Sequence, residues 1–195
     1  LARRLGVPFE QVEYRRIAEV LQGVKSGQVD FTISNATPAR AKDVDFTQPL
    51  LSLELGYLVP SGSPVSALAN VDLPGIRVGV VQGSTSHSTL PHELKNAAVV
   101  PAPTLTSAIE MLSQRRLDAF ATNKAILFEM SDALPGSRVI EGRWGLEQLA
   151  IAIPKGRDQG MSYVRRFVED AKSEGLVTRA VERAGLRGTV TTESR

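Results

Sequence analysis

The sequence predicts an α/β protein of two lobes with mainly parallel sheets, and two observations carry that prediction. A helix, a short basic or glycine turn, an aliphatic-Asp pair and a buried strand follow one another once in each half of the chain. Proline- and glycine-rich punctuation separates further strand-like and helix-like stretches at intervals suited to alternating elements. In the first half, Ile17, Val20, Leu21 and Val24 recur at helical spacing until Gly27, and residues 29–33 read as a strand. In the second, Leu105, Ala108, Ile109 and Leu112 mark a helix capped by Thr104, and residues 117–121 form the strand that follows.

The remaining elements take their places in order. Residues 1–6 read as the last turns of a helix closing at Gly6, entered in its middle, so the first lobe is expected to lack its N-terminal part. Val12, Glu13 and Tyr14 suggest a short strand. The apolar run 50–59, closed by Pro60-Ser61-Gly62-Ser63-Pro64, is long enough to cross from one lobe to the next. Asp72-Leu73-Pro74-Gly75 turns into the strand 76–81, whose end enters Gly83-Ser84-Thr85-Ser86 and a helix. Residues 149–153 form another apolar strand, ended by Pro154-Lys155-Gly156. Tyr163, Phe167 and Ala171, then Leu176, Ala180 and Val181, are spaced for two amphipathic helices broken near Gly175, with a polar, frayed end from Gly188.

Composition excludes several classes. With 42% hydrophobic and 23% charged residues among 195, the chain is not disordered in bulk. Lys and Arg exceed Asp and Glu by only two and are spread among acidic neighbours, so no concentrated footprint for nucleic acid is present. The absence of cysteine excludes disulfides, thiolate metal sites and a cysteine nucleophile, and leaves the compartment open. No apolar run reaches the ~20 residues of a membrane-spanning helix, and no signal peptide is visible. His87 and His92 are five apart with Pro91 between them, which does not suit a helical zinc pair, and no glycine-x-serine-x-glycine elbow occurs.

The segment Thr37-Pro38-Ala39-Arg40-Ala41-Lys42-Asp43-Val44-Asp45-Phe46-Thr47-Gln48-Pro49 resembles the threonine-proline-x-arginine-alanine signature of family-3 bacterial periplasmic solute-binding proteins. Leu73-Pro74-Gly75-Ile76-Arg77-Val78-Gly79-Val80, Gln82-Gly83-Ser84-Thr85, Leu117-Asp118-Ala119 and Ile151-Ala152-Ile153-Pro154-Lys155-Gly156 are similar to the landmarks that follow it in that family. The resemblance implies a type II periplasmic binding-protein fold, in which two α/β lobes joined by two hinge strands close on a ligand. It places lobe one at residues 1–50 and 150–195, lobe two at 55–146, and the hinges at about 50–54 and 147–149. It also implies noncovalent capture of a small carboxylate-bearing solute, an amino acid or derivative, in the periplasm. By the same resemblance, delivery is expected to the membrane subunits of an ABC transporter, by a monomer that uses no cofactor or metal and no enzymatic step.

Arg40 is the first candidate ligand residue, because a planar guanidinium holds a carboxylate with two parallel charge-assisted bonds that lysine does not reproduce. In the resembled family the arginine of this motif clamps the ligand's α-carboxylate. Ser84, Thr85 and Ser86 lie between a strand and a helix, where unpaired N–H groups and the helix dipole favour an anion; simple N-capping is the bland alternative. Asn35 and Thr37 offer oxygens to a ligand ammonium, although residues 30–40 are about two residues shorter than the family pattern, which makes transfer at Ser34 and Asn35 unsafe. Asn123 stands where the family has an aspartate that pairs the ligand's ammonium, so it either changes the ligand class or only caps the helix 124–130. Lys124 is expected to reinforce a preference for negative charge. Glu147 and Trp144 are weaker candidates, for a counter-ion and a stacking face, against a solvated turn carboxylate and a packing anchor. The competing functions are a dehydratase-like enzyme on the same fold, which needs a cleft acid such as Glu147, and the sensor module of a membrane receptor.

Overall fold

The computed structural model describes residues 1–14 and 16–190. They group into two compact units: unit 1 comprises Leu1–Ser52 and Gln148–Leu186, and unit 2 comprises Leu53–Glu147 and Arg187–Val190.

Unit 1 begins with α1 (Ala2–Leu5), closed by Gly6 in the left-handed conformation. Next come α2 (Ile17–Ser26), which Gly27 ends in the same way at φ 75°, and β1 (Thr32–Asn35). A positive φ at the residue after a helix suits glycine, which has no Cβ to clash. The unit also takes the first part of β2 (Val44–Val59) and, later in the chain, the second part of β7 (Gly145–Pro154). It ends with α6 (Asp158–Ser173) and α7 (Leu176–Arg183). β1 pairs antiparallel with β7, from Thr32 opposite Ala152 to Asn35 opposite Leu149, rather than in the parallel manner the sequence suggested. The strand expected at Val12 to Tyr14 does not form: these residues have no regular structure, and Tyr14 instead lies over Gly23. In the tail helix Ala171 is buried and Phe167 packs against the core as expected, but Tyr163 is exposed, and Met161, Val164 and Val168 complete the buried face. These positions follow the helical repeat, and the unbranched Met and β-branched Val pack against Ile151 and Ile153 of β7.

In unit 2, β3 (Arg77–Val81), α3 (Thr85–Glu93) and β4 (Ala98–Ala102) form one crossover. α4 (Leu105–Ser113) leads from β4 to β5 (Ala119–Asn123) as a second. β4 and β5 flank β3, both parallel to it, and the second part of β2 pairs antiparallel with β5. After β5 come α5 (Lys124–Ala133) and β6 (Arg138–Val139), and β6 pairs with β2. Thr104 caps α4 as the sequence indicates, in a reciprocal arrangement with Ser107. Alternation along β3 sends Val78 and Val80 into one core with Tyr57, Leu90 and Ile140. Gly79 faces the other core, where a Cβ would lie 2.4 Å from Leu117 Cδ1 and 2.9 Å from Phe120 Cδ2.

The chain passes from unit 1 to unit 2 within β2, returns within β7, and crosses once more after Leu186. The third crossing corrects the assignment of 150–195 to a single lobe. Arg187 pairs with Asp132 and lies 4.7 Å from the centre of the Phe128 ring, and the Glu54 N–H donates to the Gly188 carbonyl at 2.8 Å. β8 (Thr189–Val190) then pairs with β2, so the expected frayed end from Gly188 is ordered through Val190. The rest of that expectation, residues 191–195, lies outside the described residues.

Candidate functional site

In unit 1, the end of β1 brings four polar residues together. Ser34 and Asn35 are 4% and 8% exposed, so their polar atoms require protein partners. The Gln148 N–H donates to Asn35 Oδ1 at 3.1 Å, and the Ala36 N–H donates to the Gln148 carbonyl at 2.9 Å, which fixes the backbone beyond β1 against the start of β7 in this unit. Thr37 Oγ1 accepts from the Arg40 N–H at 3.3 Å, and the Thr37 carbonyl from the Ala41 N–H at 2.9 Å, nucleating a 3₁₀ turn over Arg40–Lys42. Arg40 Nη1 then reaches back to Ser34 Oγ at 3.0 Å and the Asn35 carbonyl at 3.2 Å. These two bonds orient the guanidinium. Asn35 and Thr37, expected as acceptors for an ammonium, use these oxygens to position Gln148 and Arg40.

In unit 2, the parallel register puts the carboxyl ends of β3 and β5 at one edge of the sheet, with the N-termini of α3 and α5 immediately following. Such an edge is where open α/β sheets receive ligands. The three hydroxyl residues at α3 have separate fates. Ser84 is the N-cap, its Oγ accepting from the His87 N–H at 3.1 Å. Ser86 is 2% exposed and shares the buried face with Leu90. Thr85 is half-buried at the first helical position. The Gly83 N–H donates to His87 Nδ1 at 3.1 Å, which ties the loop to the helix. Pro91 does not interrupt the segment: α3 runs through it to Glu93, although proline offers no N–H to the ladder in this last turn.

At the end of β5, Asn123 caps α5, its Oδ1 accepting from the Ile126 N–H at 3.1 Å. Its Nδ2 donates to Glu147 Oε2, also at 3.1 Å. Lys124, expected to reinforce a preference for negative charge, is paired within a cluster of two cations and one carboxylate. Its Nζ lies 2.6 Å from Glu54 Oε2, with the lysine side chain 12% exposed, and Arg143 Nη1 donates to the other Glu54 oxygen at 3.2 Å. Hydrogen bonding from Lys124, against the opposing effect of burial, holds the Glu54 carboxyl below its ordinary range, with Arg143 adding to it. Trp144 is a packing anchor: its ring lies 6.3 Å from that of Tyr57, and its Nε1–H donates to the Gly56 carbonyl at 3.2 Å. Glu147 is half-buried in β7, not in a turn. The Glu54 network was missed from sequence, although a single carboxylate inside the apolar run 50–59 was its signal.

The profile of bacterial extracellular solute-binding proteins, family 3, matches residues 1–185. The chain belongs to this family. Among proteins similar to this family-3 chain is the ABC transporter glutamine-binding protein GlnH of Bacillus subtilis (strain 168), 26% identical over 169 residues. That match covers 86% of the chain and 60% of the relative, so the chain spans about three fifths of the relative's length. An ancestral arginine-binding protein bound to glutamine superposes with a TM-score of 0.80 at 26% identity, covering 93% of this chain and 82% of that one. The putative binding component of an ABC transporter from Wolinella succinogenes, complexed with lysine, gives 0.82 at 20% identity, covering 93% and 80%, which supports the type II periplasmic binding-protein fold.

Proposed function

We propose that this family-3 protein captures a small carboxylate-bearing solute, an amino acid or a derivative, in the periplasm and delivers it as a monomer to the membrane subunits of an ABC transporter. The observation that carries the reading is the preset Arg40 guanidinium, held by Ser34 Oγ and the Asn35 carbonyl with its backbone fixed by Thr37. A preoriented guanidinium meets a carboxylate with little loss of side-chain freedom, which favours affinity. Within unit 2 taken by itself, Thr85 at the N-terminus of α3 is a candidate anion-holding group. Support for an amino acid comes from the Bacillus relative, named as glutamine-binding, and from the ancestral protein bound to glutamine. Both are named as binding proteins, which favours a carrier over an enzyme: binding is noncovalent and releases the solute unchanged.

The test is a thermal-shift screen with the twenty L-amino acids, repeated with Arg40→Ala and Arg40→Lys. A ligand at about 100 times its Kd adds about 2.7 kcal/mol to the native state, a readily measured rise in Tm. The expected result is a shift with one chemical class of amino acid, abolished by Arg40→Ala and weakened by Arg40→Lys. No shift with any amino acid, or an equal shift in Arg40→Ala, refutes the assignment.

A further inference from the structure

We propose that residues 187–190 are a strap that lifts from unit 2 on its own, is loosened by salt, and steadies α5 for ligand capture; the last step alone rests on the carrier reading above. After Leu186 the chain passes to unit 2 and meets one stripe of α5. The Arg187 guanidinium pairs with Asp132, and its Cζ lies 4.7 Å from the centre of the Phe128 ring. Gly188 meets the first turn of the same helix: a Cβ there would lie 2.4 Å from Lys124 Cβ and 3.3 Å from Lys124 Cα. Lys124, Phe128 and Asp132 are spaced by four, so they stand one above another on the helix. Ala125, Leu127 and Met130 are the positions of α5 that are buried. The helix thus has the core of unit 2 on one side and the strap on another.

The fixings of the strap are weak ones. Arg187 is exposed, and Gly188, Thr189 and Val190 are only half-buried, whereas Leu53 and Leu55 of β2 are 5% and 3% exposed. The Arg187–Asp132 pair has side chains 46% and 66% exposed, and such a pair is screened by salt. Beyond it, the Glu54 N–H donates to the Gly188 carbonyl at 2.8 Å, and the two-residue β8 lies beside β2. A segment with few buried apolar contacts opens locally at less cost than the whole fold. Its release acts on α5 unevenly. Lys124, the first residue of the helix, loses the close packing of Gly188, while the core still holds Leu127 and Met130. The loosened turn is the one that follows β5 at the edge where its sheet receives ligands. A solute bound at that edge favours the seated strap, and by linkage the seated strap favours the solute to the same degree.

Amide hydrogen exchange followed by NMR on the full chain tests this, because the Glu54 N–H reports directly on the seating of Gly188. The amides of Val78 and Val80, in the strand between β4 and β5, report opening of unit 2 as a whole. Raising NaCl from about 0.05 to about 0.5 M is expected to speed Glu54 exchange about 3-fold and leave Val78 and Val80 unchanged. Arg187→Ala is expected to speed it about 3- to 30-fold and to abolish the salt response. Gly188→Ala, which drives a methyl into Lys124 at a backbone φ of 72°, is expected to speed it about 30-fold or more. Saturation with at least one of L-glutamine, L-arginine and L-lysine is expected to slow Glu54 exchange about 5-fold or more, and the same amino acid should bind Gly188→Ala more weakly by isothermal titration. Exchange of Glu54 in step with Val78 and Val80, or a salt response that survives Arg187→Ala, overturns the strap. An amino acid that binds wild type and Gly188→Ala equally overturns the coupling and leaves the carrier reading standing. Failure of all three to bind the wild type overturns the coupling, and the exchange response of Arg187→Ala still decides the strap.

Discussion

Replacing Asp118 by Asn should destabilise unit 2 at neutral pH and have almost no effect in acid. Asp118 stands just before β5 and accepts from Arg77 Nε at 2.8 Å, from Nη2 at 2.9 Å and from the Arg77 N–H at 2.9 Å. The Asp118 N–H returns a bond to the Arg77 carbonyl at 2.9 Å, so the pair aligns the starts of β3 and β5. Asparagine keeps an acceptor for the backbone amide and loses the ionic fork. A buried ionic hydrogen bond is worth about 1.5–3 kcal/mol and an exposed pair less than about 1. With Asp118 16% and Arg77 42% exposed, the expected cost lies between, at about 1–2 kcal/mol. The Arg77 hydrogen bond, with burial opposing it, holds the folded Asp118 carboxyl below its ordinary 3.8. A depressed folded pKa contributes stability that is complete above 3.8 and is lost as pH falls through the folded value. The difference between variant and wild type should therefore be full at pH 7 and shrink below pH 3.8. Urea unfolding followed by Trp144 fluorescence measures it, because the sole tryptophan packs in the core of unit 2. A loss below about 0.3 kcal/mol at pH 7, or a gap that does not narrow in acid, would refute the reasoning.

Two further outcomes follow from the same unit. Glu54→Gln leaves the Lys124 ammonium, 12% exposed, without its anionic partner, and should cost about 1–3 kcal/mol in the same urea assay; Lys124→Met in that background should recover part of it. Gly79→Ala forces a methyl to within 2.4 Å of Leu117 Cδ1 and 2.9 Å of Phe120 Cδ2, and should cost about 1–3 kcal/mol by overpacking, with Leu117→Val relieving some of the loss in calorimetric Tm.

Where periodicity and punctuation coincide, the sequence was an accurate guide. Thr104 before an apolar helical repeat gives a capped α4, and the apolar run closed by Pro60 gives the long strand β2. It failed where partners decide. Val12 to Tyr14 have strand-like residues, yet a strand exists only when another strand meets it, and the described residues place none there. In the tail helix packing against β7 took in Met161 and Val168 beside Phe167 and left Tyr163 outside. At the candidate site, residue types were legible and their uses were not. Asn35, Thr37, Ser84 and Asn123 were singled out for oxygens that largely hold the backbone, and Lys124 for a charge that Glu54 offsets. Such pairings join residues far apart in sequence, Lys124 to Glu54 and Asn123 to Glu147, and nothing local to either member announces the other.

The crossing of the chain at Leu186 has a consequence for how the protein is divided. Unit 2 is not a contiguous segment: residues 53–147 taken alone would lack the Gly188 carbonyl that receives the Glu54 amide, the guanidinium that meets Asp132, and the β8 strand beside β2. Among the described residues, unit 1 is likewise assembled from two stretches. The two units are interleaved in the gene, so a cut, a graft or a recombination between homologues at any single point divides one of them. Exchange of either unit as a working module requires several breakpoints to move together.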